Sequence, residues 1–369
     1  MEGLTETQRL FAEAVRSWCE SELEPRVAAL EAGEELPYPL LERLGSQLGI
    51  SALLGETVRS RLRRLQEGAP EDDPTTHGAA LGGDPLLPSL LLCELSRCSP
   101  GFALTLISTL GCAMAILARG RAALIESLVL PIVSFKKIGA WALTEPEAGS
   151  DAFGGMKTTA VVEGDRVVLN GQKTFITNAP YADVFTVYAR VRCGGDERIG
   201  AVVVERGSRG LETGPPMKKM GMHDSPTGEV FLSDCVVPAS NLLDAGRSGG
   251  RGGEAVGVLN LERAAMPAMC LGIIERCVEE SVRYAKTRRQ FGRPIGEFQG
   301  VGFKLARMAV ARENARNLVR ALAEAQAAGT LRPELASIAK LYCAEQATKV
   351  ALDAIQIHGG SGYMAELPL

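Results

Sequence analysis

The period of the hydrophobic pattern changes twice along this chain, and that switch constrains its architecture more than any other feature. Leu10, Phe11, Val15, Trp18 and Leu23 recur at helical intervals after Thr5 and Gln8, whose three-residue spacing is that of a capping box. Helical patterns continue over 39–48 and 86–130. From about 139 to 243 the period becomes two, with strand-like segments at 158–162, 166–169, 184–190, 199–205 and 229–232. Glu163-Gly164-Asp165 marks a hairpin between the first two. Past a glycine-rich stretch at 246–253, three long helical patterns follow at 257–288, 299–329 and 333–358. Helices, then strands, then long helices predict an α+β fold. The expected parts are an N-terminal helical domain (1–136), a central antiparallel β domain (137–245) and a C-terminal long-helix bundle (246–369). Within the first, residues 56–83 turn Arg-rich and then Pro- and acid-rich, which predicts an exposed, mobile loop.

At 369 residues the chain is too long for a single core, so several subdomains are expected. A net charge of −4 gives no basic surface for nucleic acid or an anionic membrane. The nine cysteines form no C-x-x-C pair and fall on apolar faces, so they read as reduced core thiols, and three scattered histidines argue against a metal site. The apolar stretch 102–118 is broken by Thr, Ser and Gly and reads as a buried helix, not a transmembrane segment. The first residues carry no basic or apolar signal region, so a soluble, cytoplasmic protein is expected.

Two polar loops carry the chemistry. Trp141-Ala-Leu-Thr-Glu-Pro-Glu-Ala-Gly-Ser-Asp151 and Asn170-Gly-Gln-Lys-Thr-Phe-Ile-Thr-Asn178 offer backbone N–H groups, hydroxyls and an aromatic face at strand ends, which suits a flat polar heterocycle with a phosphate tail. Alone, the first reads as a helix start and the second as a hairpin turn. Together and in this order they resemble the flavin-binding loops of the acyl-CoA dehydrogenase family, and the resemblance covers nearly the whole chain. It implies FAD, with Leu143 and Thr144 at the pyrimidine end, Trp141 and Gly149 in the same loop, and Phe175, Ile176 and Thr177 against the ring. Ser150 would approach the pantetheine of an acyl thioester. Arg288-Arg-Gln-Phe-Gly-Arg-Pro-Ile-Gly-Glu-Phe-Gln299 resembles the family segment that reaches a neighbouring subunit's FAD, with Arg288 for the pyrophosphate, Phe291 for the adenosine half and Gln299 closing the segment. Gln356-Ile-His-Gly-Gly360 resembles the turn in which Gln356, Gly359 and Gly360 approach the same FAD. Read without the family, these are a basic helix end and a glycine cap. The resemblance implies a homodimer or, as the family norm, a homotetramer.

Removing a proton α to a thioester carbonyl needs a carboxylate in a dry pocket, where lost hydration raises its pKa. In Leu259-Asn-Leu-Glu-Arg-Ala-Ala265 the resemblance, to the isovaleryl and long-chain types, places that base at Glu262, with Asn260 and Arg263 against substrate. A surface carboxylate at a helix start is the plain alternative. The implied reaction takes the pro-R α-proton and gives a trans-2-enoyl-CoA, in fatty or branched-chain acyl metabolism, with electrons passing to an electron-transfer flavoprotein. A short or branched acyl group is preferred. Three alternatives stay open: acyl or aminoacyl thioesters on a carrier protein, a flavin monooxygenase, and a truncated, inactive paralogue. The last arises because relatives continue past the Gly-Tyr-Met-Ala-Glu run into a loop that donates an N–H to the thioester oxygen, and this sequence ends at Leu369.

Overall fold

A computed structural model describes residues 3–68, 83–243 and 253–367. In chain order the helices are α1 (Glu6–Trp18), α2 (Val27–Ala32), α3 (Tyr38–Gln47), α4 (Ile50–Gln66), α5 (Leu87–Cys98), α6 (Pro100–Arg119), α7 (Ala122–Leu124) and α8 (Leu130–Val133). Strands β1 (Gly139–Ala142), β2 (Thr159–Glu163), β3 (Arg166–Thr177), β4 (Val184–Cys193), β5 (Asp196–Glu205), β6 (Leu211–Thr213), β7 (Thr227–Pro238) and β8 (Leu242–Leu243) follow. Then come α9 (Gly253–Thr287), the short strands β9 (Arg289–Gln290) and β10 (Arg293–Pro294), α10 (Gln299–Ala327) and α11 (Pro333–His358). These segments pack into two compact units, one of Met1–Val27, Ala80–Ala103 and Asn260–Leu369, the other of Ala28–Ala79 and Leu104–Leu259.

In the first unit, helix α1 starts as its sequence requires. Thr5 Oγ1 accepts from the Gln8 N–H (3.2 Å) and Gln8 Oε1 accepts from the Thr5 N–H (3.0 Å), satisfying two otherwise orphaned donors. Ala336 and Ala339 of α11 and Leu322 of α10 form a small core on which Ala264 of α9 packs. Charged ties fix α9 along its length: Arg316 holds Glu275 at 2.7 Å and Arg97 pairs with Glu279. The helix expected from 257 begins four residues sooner, at Gly253; residues 244–252 lie outside the described residues. Pro267 lies inside α9, so the carbonyl of Arg263, one turn back, receives no amide from it.

The second unit is built on one large sheet in the order β6-β7-β3-β2-β4-β5-β8, with β1 on β4. Glu163 pairs with Arg166 across Gly164-Asp165, and Gly164 takes φ +66°, as a two-residue hairpin loop demands. The expected antiparallel domain is mixed at two pairings: β1 and β2 both run parallel to β4, while the other pairs of the sheet are antiparallel. After the β2–β3 hairpin the chain crosses at 178–183 to the other edge of β2, and two reversals of direction leave β4 parallel to it. Val167, Leu169, Phe185, Val187, Val202 and Val230 fill the core in strand alternation. Gly139 admits α6 against β1, since a Cβ there would stand 2.7 Å from Cys112 Cβ.

The loop expected at 56–83 is also corrected. Residues 56–66 complete α4, with Val58 and Arg61 buried on one helical face, so the Arg-rich run is amphipathic rather than unstructured. Residues 69–82 lie outside the described residues. Helix α6 is 20 residues long and apolar enough to cross a membrane by composition, but 67% of its most apolar window is buried, which is the signature of a core helix.

Candidate active site

Asn170-Gly171 is not a hairpin turn: both residues lie inside β3, where the pairing with β7 shifts register between Leu169 and Gly171. Gly171, at φ +149°, lies so close to the chain entering β2 that a Cβ would stand 2.5 Å from Thr158 Oγ1. A second shift separates Lys173, opposite Val230, from Ile176, opposite Gly228. Between them the chain changes partner, since the N–H of Thr174 donates to the carbonyl of Thr144 (2.9 Å). The two loops therefore meet. Lys173, fully buried, donates from Nζ to the Leu143 carbonyl (2.9 Å) and to Glu145 Oε1 (2.8 Å). The Glu145 carboxylate also accepts from the N–H groups of Lys157 (2.6 Å) and Thr158 (3.0 Å).

The electrostatics follow from this geometry. Burial pushes the Lys173 ammonium down to about 8 against the upward pull of Glu145. Burial alone would raise Glu145, yet Lys173, Thr158 and the Lys157 N–H outweigh it and hold its pKa below the usual carboxylate range. Asn178 anchors the far end of the second loop. Its Nδ2 donates to the Thr105 carbonyl (3.2 Å), Thr109 Oγ1 (3.1 Å) and the Gly139 carbonyl (3.0 Å), and Ser108 Oγ donates to the carbonyl of Thr177 (3.4 Å).

Around this scaffold stand the residues expected to hold a planar ring. Phe175 is 67% exposed at φ +57°, a conformation a bulky side chain rarely adopts, so the bulge holds an aromatic face outward against a local backbone cost. Trp141, edge-on to Tyr188 at 5.4 Å, has its indole Nε1 buried with no acceptor among the described residues. An orphaned donor and an uncovered aromatic face each suit a flat, acceptor-bearing heterocycle. Thr144 is half-buried, and Gly149 and Ser150 are exposed on a loop that Arg190 fastens through the carbonyls of Gly154 and Met156. One assignment narrows: Ile176 is buried in the sheet core, which leaves only its backbone available to a ligand.

The C-terminal candidates lie in the first unit. Arg288 follows the end of α9 and is exposed; Phe291, 93% exposed, caps the β9–β10 turn at φ +52°; Gln299 opens α10. Gln356 is exposed, its carbonyl receiving the N–H of Gly359, which ends α11 at φ +58°, and exposed Gly360 follows. Tyr284 stacks on His358 at 4.4 Å, which brings the chain just before Arg288 beside the Gly359-Gly360 turn. Glu262 and Arg263 diverge on α9, Glu262 half-buried and Arg263 exposed. Burial raises the pKa of Glu262, and the charge of Arg263 only partly opposes it. The side chain of Asn260 lies outside the described residues.

Sequence reasoning passed over Lys173, Glu145 and Asn178 as functional residues. A signal existed for the first. Lys173 stands in strand phase with Val167 and Leu169, and a lysine on the inward phase of a strand must find a buried partner.

An outward aromatic ring and an unpartnered indole N–H suit a planar cofactor such as the flavin of an oxidoreductase. The chain belongs to the acyl-CoA dehydrogenase family: residues 140–235 match the acyl-CoA dehydrogenase middle domain and 250–369 the C-terminal domain. It is 35% identical over 369 residues to an acyl-CoA dehydrogenase of Bacillus subtilis (strain 168), covering 99% of this chain and 91% of that protein. The butyryl-CoA dehydrogenase structure from Megasphaera elsdenii superposes with a TM-score of 0.84 at 35% identity, covering 100% of this chain and 92% of that one. A chain in a structure described as an electron transferring flavoprotein of Acidaminococcus fermentans superposes with a TM-score of 0.85 at 34% identity, covering 100% and 91%.

Proposed function

We infer that this protein is an FAD-dependent acyl-CoA dehydrogenase, converting an acyl-CoA to its trans-2-enoyl-CoA and passing the electrons to an electron-transfer flavoprotein. The observation that carries the reading is Glu262, a carboxyl that burial makes a stronger proton acceptor. Bound FAD supplies the two-electron acceptor for the substrate's β-hydrogen. Glu262 accepts the α-proton at a carboxylate oxygen, and the electron pair of that C–H bond becomes the second bond between Cα and Cβ. Trp141, Leu143, Thr144, Gly149, Phe175, Thr177 and the Ile176 backbone would hold the flavin, and Ser150, Asn260 and Arg263 the substrate.

A short acyl chain is the preferred substrate, on the similarity to a butyryl-CoA dehydrogenase. The chain is proposed to work as a homo-oligomer in which Arg288, Phe291, Gln299, Gln356, Gly359 and Gly360 reach a second subunit's FAD. Phe303 and Val310 on α10, and Ile338, Leu341 and Leu352 on α11, support this, being exposed at helical spacing. Unpaired cysteines suit a cytoplasmic setting. The test is the visible spectrum of the purified protein during anaerobic titration with acyl-CoAs of increasing length and with carrier-protein thioesters. The reading expects the bound flavin to bleach, most readily with butyryl-CoA. A coloured protein that no acyl-CoA bleaches, or one that consumes oxygen with an external reductant, contradicts it.

A further inference from the structure

Filling the inward phase of β3 beside Val167 and Leu169 needs only an apolar side chain, yet residue 173 is a lysine buried with its charge. A buried ion pair is a poor way to gain stability, because the hydration lost by both groups offsets their attraction; where one is kept, it commonly fixes a particular geometry. What this pair fixes can be read from its bonds. Lys173 Nζ joins the carbonyl of Leu143 to the carboxylate of Glu145, two residues on in the same loop. That carboxylate takes the N–H groups of Lys157 and Thr158, where the chain enters β2. Glu145 and Ala148 exchange backbone hydrogen bonds (3.3 and 3.1 Å), which closes the loop on itself. The next residue of the strand, Thr174, donates its N–H to Thr144, and the one after is Phe175, held outward at positive φ.

We propose that the buried Lys173–Glu145 pair positions the flavin platform: it sets where the Leu143-Thr144 backbone stands relative to the bulge that presents Phe175, so that backbone donors and ring face are arranged before the cofactor arrives. The proposal rests on the FAD reading above. Lys173 and Glu145 are positioning residues, acting through Leu143, Thr144 and Phe175 rather than on the reacting atoms. Prearranging these groups spares FAD binding the cost of ordering two loops.

The test compares cofactor affinity with folding stability. Lys173→Met, Glu145→Gln and the double variant are prepared without FAD; melting is followed by circular dichroism and FAD affinity by quenching of flavin fluorescence. Lys173→Met leaves a carboxylate buried beside a methyl group, so both stability and affinity fall. The double variant removes that unpaired charge, and the expected result is a melting temperature returned to near wild type with FAD still bound at least tenfold more weakly. Affinity that recovers together with the melting temperature overturns the proposal, as does a Lys173→Met chain that binds FAD as wild type does. Should the variants not fold, hydrogen exchange on the FAD-free wild type decides. The amides of Lys157, Thr158 and Thr174 are expected to be protected before FAD is added, and exchange at exposed-loop rates until it binds overturns the proposal. A wild-type protein that takes up no FAD defeats the function reading instead, so the two failures are distinguishable.

Discussion

Glu145 is buried and Glu262 half-buried, and their surroundings drive them in opposite directions. Glu145 meets an ammonium and two backbone N–H groups, which stabilise its charge and hold its pKa low. Glu262 has burial and a single diverging arginine, so its charge is poorly compensated and its pKa rises. The residue type is the same; the count of donors decides whether it becomes an anchor or a proton acceptor.

The comparison breaks most visibly at Glu262. Glu262→Gln keeps shape and polarity but cannot accept a proton, and the rate of flavin bleaching by butyryl-CoA is expected to fall by about 10²- to 10⁴-fold in stopped flow. Removing the anchor acts on folding instead. Lys173→Met is expected to lower the unfolding free energy by about 3–5 kcal/mol in urea titration, because Glu145 is then left as an uncompensated buried charge. Asn178→Ala, which deprives two carbonyls and a hydroxyl of their donor, should cost about 1–3 kcal/mol by the same measurement.

The smallest effect sharpens the comparison through pH. For Glu262 the folded pKa lies above the unfolded one, so the folded chain holds a proton that the unfolded chain has released, and stability falls as pH rises from about 4.5 through the folded value. Glu145 has the opposite sign, adding stability that is present above the ordinary carboxylate pKa and lost as pH falls through its lowered one. Melting curves should therefore show Glu262→Gln gaining on wild type as pH rises above about 4.5, and Glu145→Gln losing ground to wild type as pH rises towards 4.5 from below, with no further change above it.

Much of this layout is legible in the sequence, and the exceptions have physical causes. The long C-terminal helices appear with their boundaries nearly in place because their apolar residues repeat over many turns, and the N-terminal cap because two side chains at fixed spacing make it. Parallel pairing of β1 and β2 with β4 is not legible, since period-two alternation gives the face of a strand but not its direction. Residues 56–66 mislead because arginines suggest solvent, whereas Arg61 is buried in α4. Of the site, the aromatic and hydroxyl residues stand out by type. The tie between the loops does not, because Lys173 meets Glu145 only when β3 changes partner at its bulge.

The most direct test of the contrast between the two glutamates is the pH profile of flavin bleaching by butyryl-CoA in a single turnover. The rate is expected to rise with pH through one carboxyl ionisation above the usual glutamate range, and Glu262→Gln to lack that step. A wild-type profile that is flat across the range, or a Gln variant that keeps the same step at a comparable rate, would contradict the assignment of Glu262 as the proton acceptor.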